Sequence, residues 1–353
     1  DNGANFQWAT STECKTVACS GHEKITPRNI LDNKSQPISF GPWGTMMVTV
    51  GDEVFVERAT VPAITTPQNL ILANDYSGGK FGTLAWSGGI GMPSESREVW
   101  VSANGTRSGF YFQKLSQEGL LDKLTFSMVF NQDSGAGTIM FGGYDESSFY
   151  SDRGAILKPK KIGKGLEYLW ATDLKSARLG STNVKIADYN LILDSGSSHF
   201  KSSSDNILPF LEILEGYRAP DGSAIFERVI DDGKWIGLKY RNGKSPKDYF
   251  LPDLTLTFGN SCGGKTTQKL ALQLSPEQYS YKVDVGDRAG EWVIAFQVLE
   301  GVPGLLVGST MLDLVHTIYT YEGIASDLNQ GDMLVHEKRD HGAGPKGYAC
   351  VAG

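Results

Sequence analysis

Leu191-Ile192-Leu193-Asp194-Ser195-Gly196-Ser197-Ser198 decides how this chain is read. Three consecutive apolar residues predict a short buried strand. It runs into an Asp followed by small, hydroxylic and Gly residues, whose N–H and hydroxyl groups can hold a carboxylate in a tight turn. Alone, such a string is a Ser/Gly-rich turn closed by an Asx hydrogen bond. It means more if a second Asp of the same form exists.

That second Asp is residue 1. Asp1-Asn2-Gly3-Ala4 and Asp194-Ser195-Gly196-Ser197 share the order Asp, polar, Gly, small. Each is followed by an apolar-Gly pair: Ile90-Gly91, 90 residues after Asp1, and Val307-Gly308, 114 residues after Asp194. A duplicated lobe, each copy presenting one Asp to a shared cleft, explains both pairs. Two carboxylates about 3 Å apart cannot both ionise and so share one proton. One then acts as general base towards water, the other as general acid towards a carbonyl. Gly3 and Gly196 let the backbone approach and donate N–H groups to them.

The rest of the chain fits a β-rich protein. It has 353 residues, 40% of them hydrophobic, and 42 glycines, which predicts short strands and turns in two lobes. A net charge of −7 argues against a nucleic-acid partner. No apolar run is long enough for a transmembrane segment; the best, Val293 to Val307, is broken by Gln297, Glu300, Gly301 and Pro303. Among the four cysteines, a local Cys14–Cys19 disulfide is the better reading, with Cys262 and Cys350 as the remaining pair. Three connectivities stay formally open, as do four free thiols. No His/Cys cluster suggests a metal, and no cofactor is expected. The sequons Asn33-Lys34-Ser35 and Asn104-Gly105-Thr106 fit a glycoprotein on the secretory route.

Along the chain, Pro37–Phe40 and Thr45–Val50 predict a hairpin whose tip is Gly41-Pro42-Trp43-Gly44. A helix is expected over 108–121 and another over Asn206–Leu214. Val229–Ile236 predicts a hairpin turning on Asp232-Gly233. Lys158–Gly165 reads as a solvated linker rather than a basic patch, which sets the domains at 1–157 and 166–330. Residues 331–353 are expected to form a polar tail. Trp86 and Tyr319 are expected in the core.

In this order of motifs the chain resembles the pepsin-like aspartic proteases. Asp1–Ala4 and Asp194–Ser197 stand where that family carries Asp-Thr-Gly-Ser twice. Trp8, the Cys14/Cys19 pair and His22 match a Trp, a small disulfide loop and a His after its first Asp. Phe40–Gly44 matches the flap over the substrate, and Trp86–Met92 and Leu306–Ser309 match its two apolar-Gly elements. The resemblance implies a mostly β, bilobal pepsin-like acid protease fold, with two pseudo-twofold-related, β-barrel-like lobes around a central cleft. It implies a monomeric aspartic endopeptidase acting on peptides or proteins, with Asp1 and Asp194 catalytic. Gly3, Ser195, Gly196 and Ser197 would support the pair, while Phe40, Gly41, Trp43 and Trp8 would form the flap and substrate wall. A zymogen, secreted or held in an acidic vacuole- or lysosome-like compartment, follows from the same resemblance.

Four departures bear on activity. Phe40 lacks the hydroxyl of the family's flap Tyr, and Pro42 lacks a backbone donor. Asn2 replaces a Thr, and Ala4 removes a hydroxyl from the Asp1 carboxylate, which predicts a less acidic pH optimum. These residues also define the alternative: a catalytically inactive pepsin-like protein binding a peptide, an enzyme or a carbohydrate. A serine hydrolase using Ser195, His199 and Asp194 is remote, because no Gly-x-Ser-x-Gly surrounds Ser195. The family's strand ahead of the first Asp has no counterpart here, so the chain is expected to be an N-terminally truncated piece.

Overall fold

The computed structural model describes residues 2, 7–24, 26, 29–39, 45–53, 68–77, 87–95, 110–131, 135–163, 165–284, 288–339 and 342–353. By packing, the chain divides into two units, Asp1–Asp122 with Glu322–Asn329, and Lys123–Tyr321 with Gln330–Gly353. Strands dominate both.

The first unit holds a five-stranded sheet in the order Asn29–Ser39, Thr45–Glu53, Gln68–Ser77, Gln7–Thr10, Gly88–Ile90. The two strands of the expected hairpin pair from Asn29 with Asp52 to Ser39 with Thr45, and its tip lies outside the described residues. Trp8 and Tyr76 are buried and meet edge to face at 6.2 Å. Tyr76 Oη also lies 2.7 Å from Thr10 Oγ1, which satisfies both hydroxyls inside the core. The helix expected over 108–121 is Tyr111–Gln117, burying Tyr111, Phe112 and Leu115 on one face.

The second unit carries the Asp194 turn. Its largest sheet runs Phe296–Val298, Phe200–Ser202, Leu305–Val307, Asn190–Leu193, Trp170–Leu179, Leu254–Phe258, Gln268–Leu274, Gly347–Ala352. Leu191, Ile192 and Leu193 are fully buried, and their partners Leu305, Leu306 and Val307 run parallel to them. Parallel strands covered on both faces read as unbroken apolar runs, and both of these do. Each such buried side chain contributes about 1.5–3 kcal/mol. Behind this sheet Phe126 stacks on Tyr319 at 4.7 Å and Trp170 meets Tyr319 edge-on at 4.9 Å. The Asp232-Gly233 turn has φ of 45° and 71°, the left-handed pair a two-residue hairpin needs.

Two expectations differ. The units divide after Asp122, ahead of the linker expected at 158–165. Thr125–Asn131, Ala136–Phe141 and Phe149–Leu157 join a six-stranded sheet with Val315–Ile324 and Asp327–Lys338, which ties them to the second unit. Residues 331–353 are no tail: Asp327–Lys338 pairs with Phe149–Leu157, and Gly347–Ala352 with Gln268–Leu274. In Asp327–Lys338, Leu328, Met333 and Val335 are buried while Asn329, Asp332 and Glu337 take less buried positions, an alternation hidden by the overall polarity. Among the described residues the sheets are open, without a closed barrel. The lysine segment is a loop over 158–163, whose Lys158 and Lys160 pair with Asp332 and Asp173 at 2.7 and 2.9 Å. Both expected disulfides, Cys14–Cys19 and Cys262–Cys350, are formed.

Candidate active site

Asp194 leaves the sheet at the carboxyl end of Asn190–Leu193 and stays tied to the neighbouring strand, its N–H donating to Val307 O at 3.0 Å. It is 8% exposed. A carboxylate buried to that degree needs donors. Gly196 N donates to Asp194 Oδ1 at 3.0 Å and Ser197 Oγ donates to Oδ2 at 2.6 Å, so each oxygen holds one hydrogen bond. Ser197 N closes the turn by donating to Asp194 O at 3.1 Å. These are the Gly and the second Ser that the sequence predicts. Ser195 is half-buried.

The turn is braced by the apolar-Gly element. Ser309 N and Thr310 N donate to the carbonyls of Ser197 and Ser198 at 2.8 and 3.1 Å, fixing the loop from outside. Gly308 lies so close that a Cβ there would collide with Ser197 O. Gly304, at φ +113°, is pressed against Asn190 in the same way, with a Cβ falling 2.5 Å from Asn190 O. Small residues here let Leu305–Val307 lie against both ends of the Asp strand.

The first unit shows less of its part. Asn2 is described and fully buried. Asp1, Gly3, Ala4 and the flap residues Phe40, Gly41, Pro42, Trp43 and Gly44 lie outside the described residues, as does Trp86. Trp8 and His22 are buried around Tyr76, with His22 at 5.6 Å from its ring. The two apolar-Gly elements share a pairing: Gly88–Ile90 runs antiparallel to Gln7–Thr10, a strand after Asp1, and Leu305–Val307 runs antiparallel to Phe200–Ser202, the strand after Asp194, as well as parallel to the strand before it.

Three residues near Asp194 carry chemistry that the motif does not announce. Lys201 sits mid-strand in Phe200–Ser202, and its ammonium donates to Ser197 Oγ at 3.2 Å. Burial pulls the Lys201 ammonium below its usual range, while the Asp194 charge opposes that. Burial, then the Asp194 charge, raises the Tyr168 phenol. His199 stacks on Tyr281 at 4.1 Å. Burial, helped by the Lys201 charge, pushes its imidazole down to about 4. Its ring is therefore neutral at ordinary pH and packed on Tyr281. Lys201 was legible only as a charge in an otherwise buried strand. Among the described residues no cluster of His, Cys, Asp or Glu could hold a metal, and no helix is long and apolar enough to cross a membrane.

Comparison with known proteins gives a consistent result. The family model described as eukaryotic aspartyl protease matches residues 1–328. Vacuolar protease A of Neurospora crassa is 23% identical over 261 residues, covering 71% of this chain and 61% of that protein. Rhizopuspepsin-1 of Rhizopus niveus is 24% identical over 282 residues, covering 74% and 64%. Embryonic pepsinogen of Gallus gallus is 28% identical over 156 residues, covering 42% and 37%. The chain thus spans less than two thirds of the length of these relatives.

Proposed function

Because the chain belongs to the eukaryotic aspartyl protease family, we propose that it is an aspartic endopeptidase that hydrolyses peptide bonds with a water activated between Asp1 and Asp194. The observation that carries this reading is the Asp194 carboxylate, buried yet held by one donor on each oxygen. A protein that merely bound peptides has no chemical need for such a group. The water gives a proton to the ionised carboxylate as it attacks the carbonyl carbon. The protonated carboxyl donates to the carbonyl oxygen, giving a neutral tetrahedral diol without a covalent enzyme intermediate. Collapse of the diol sends a proton to the leaving amine and restores the shared-proton pair. Phe40, Gly41, Trp43 and Trp8 would line the substrate side.

Peptides or proteins are the substrate class in this reading, and an acidic vacuolar or extracellular compartment its setting. The two disulfides support an oxidising route. The decisive assay follows cleavage of an unfolded protein from acid to neutral pH, with and without a peptide inhibitor that mimics the tetrahedral intermediate. Wild type should cleave and be inhibited, and Asp194→Asn should lose at least about 10³-fold in kcat, within the range an essential acid–base group supplies. Equal rates for the two would overturn the endopeptidase reading in favour of a binding protein.

A further inference from the structure

The Lys201 ammonium is an unusual group to find beside a carboxylate that must exchange protons. Phe200 and Ser202 are buried on either side of it, so the strand carries Lys201 between two anchored neighbours. Its backbone pairs antiparallel with Leu306 and parallel with Gln297, which fixes where the side chain leaves the sheet. Ser202 Oγ reaches Gly304 O and receives a bond from Asn206 Nδ2 at 2.8 Å, so the strand cannot slide. No carboxylate among the described residues forms an ion pair with Lys201. Its polar contact is Ser197 Oγ, which spends its own proton on Asp194 Oδ2.

We propose that Lys201 is a positioning residue for the aspartate pair: through Ser197 it orients the Asp194 carboxylate as the group that receives the water proton. Asp194 is then the base that receives the water proton, and Asp1 the acid that protonates the carbonyl. This assignment rests on the endopeptidase reading. The physical reason is a polarised chain, in which a cationic donor on Ser197 Oγ strengthens that hydroxyl as a donor to Asp194. An opposite charge at this range also favours the carboxylate directly.

The other groups facing this chain do not supply the bias. Leu305–Val307 brings only apolar side chains, and Phe296–Val298 brings the Gln297 amide. Tyr168, ahead of Trp170–Leu179, keeps its proton more strongly than a free phenol. His199 is neutral above about pH 4, and below that its charge adds to that of Lys201. Lys201 is the one cation aimed into the Ser197–Asp194 bond among the described residues.

The test compares pH profiles of kcat/KM for wild type, Lys201→Met, Lys201→Arg, Ser197→Ala and the Ser197→Ala/Lys201→Met double variant. Lys201→Met should move the acid-side midpoint up by about one pH unit, and Lys201→Arg should restore most of that shift. The double variant should shift little further than Ser197→Ala, because Lys201 acts through that hydroxyl. A residue that merely packs would change Tm and leave the midpoint where it was. An unmoved midpoint in active Lys201→Met, or fully additive shifts, would overturn the proposal. Carbon-13 NMR of labelled Asp carboxyls, with Asp194 assigned by its loss in Asp194→Asn, gives a readout that needs no turnover. If wild type cleaves nothing yet the Asp194 titration still moves with Lys201→Met, the endopeptidase reading fails and the charge coupling stands. If the titration does not move, the coupling fails whatever the activity.

Discussion

Gly308→Ala tests whether the apolar-Gly element sets the geometry of the catalytic turn. Gly308 has φ −100° and ψ −160°, extended backbone open to any residue, so space alone decides the outcome. An added Cβ would meet Ser197 O, lie 2.6 Å from Ser197 C and 2.9 Å from His199 N. All three are backbone atoms of the loop that holds Asp194, and none can rotate away. Relief requires the 194–199 loop to shift by roughly 1 Å, since ordinary contact begins well beyond 3 Å. Overpacking of this kind costs about 1–3 kcal/mol. Loss of the 2.8 Å bond from Ser309 N to Ser197 O adds about 1 kcal/mol. The sum, about 2–4 kcal/mol, lowers the Tm of a unit this size by roughly 5–15 °C. A displacement near 1 Å at the reacting groups costs about 10²-fold in kcat. Differential scanning calorimetry and peptide cleavage measure the two effects, with Gly163→Ala as control, since nothing lies within 4 Å of a Cβ there. A Gly308→Ala protein that melts and cleaves like wild type would refute the reasoning.

The buried His199 predicts acid sensitivity. Its folded value, about 4, lies below the ordinary 6.5, so the unfolded chain binds more protons between those values and stability falls as pH drops through that window. The loss reaches at most about 3 kcal/mol, and His199→Leu should flatten the stability curve between pH 6.5 and 4; a parallel curve counts against it. Cys262 and Cys350 are 88 residues apart and fasten Gly347–Ala352 beside Gln268–Leu274. Replacing both by Ser should cost about 2–4.5 kcal/mol, measured as a fall in Tm that reduction of wild type reproduces; an unchanged Tm would show that the strand pairing alone holds that edge.

What the sequence disclosed, and what it hid, follow from how far apart the interacting residues lie. The Asp194 turn was legible because its donors, Gly196 and Ser197, lie within three residues of the carboxylate. The parallel neighbour Leu305–Val307 was legible as a match to a family motif, not as a strand pairing. Nothing local to residues 305–308 reveals that Asn190–Leu193 runs beside them. Asp327–Lys338 was misjudged for the opposite reason. Its buried positions alternate with Asn329, Asp332 and Glu337, so composition outweighed periodicity. Tyr76 beside Trp8 and Lys201 beside Ser197 depend on register, which no spacing along the chain encodes.

The two halves of the proposed pair are supported unequally, and the inequality has a direction. On the Asp194 side a Gly N–H and a Ser hydroxyl donate to the carboxylate, and a lysine donates to that hydroxyl from behind. On the Asp1 side the sequence offers Ala4 where the matching turn has Ser197, a side chain without a hydroxyl to donate. Both differences push the same way, since what stabilises charge on Asp194 and what withholds it from Asp1 each send the shared proton to Asp1. Two like groups acquire distinct acid and base roles when their surroundings separate them in this manner. The consequence for the pH–rate profile is a wider plateau. Restoring the hydroxyl with Ala4→Ser should therefore pull the alkaline limb down and leave the acid limb in place, whereas Lys201→Met moves the acid limb alone. If each substitution moved both limbs equally, the pair would be electrostatically symmetric, and the division of labour between Asp194 and Asp1 would fall.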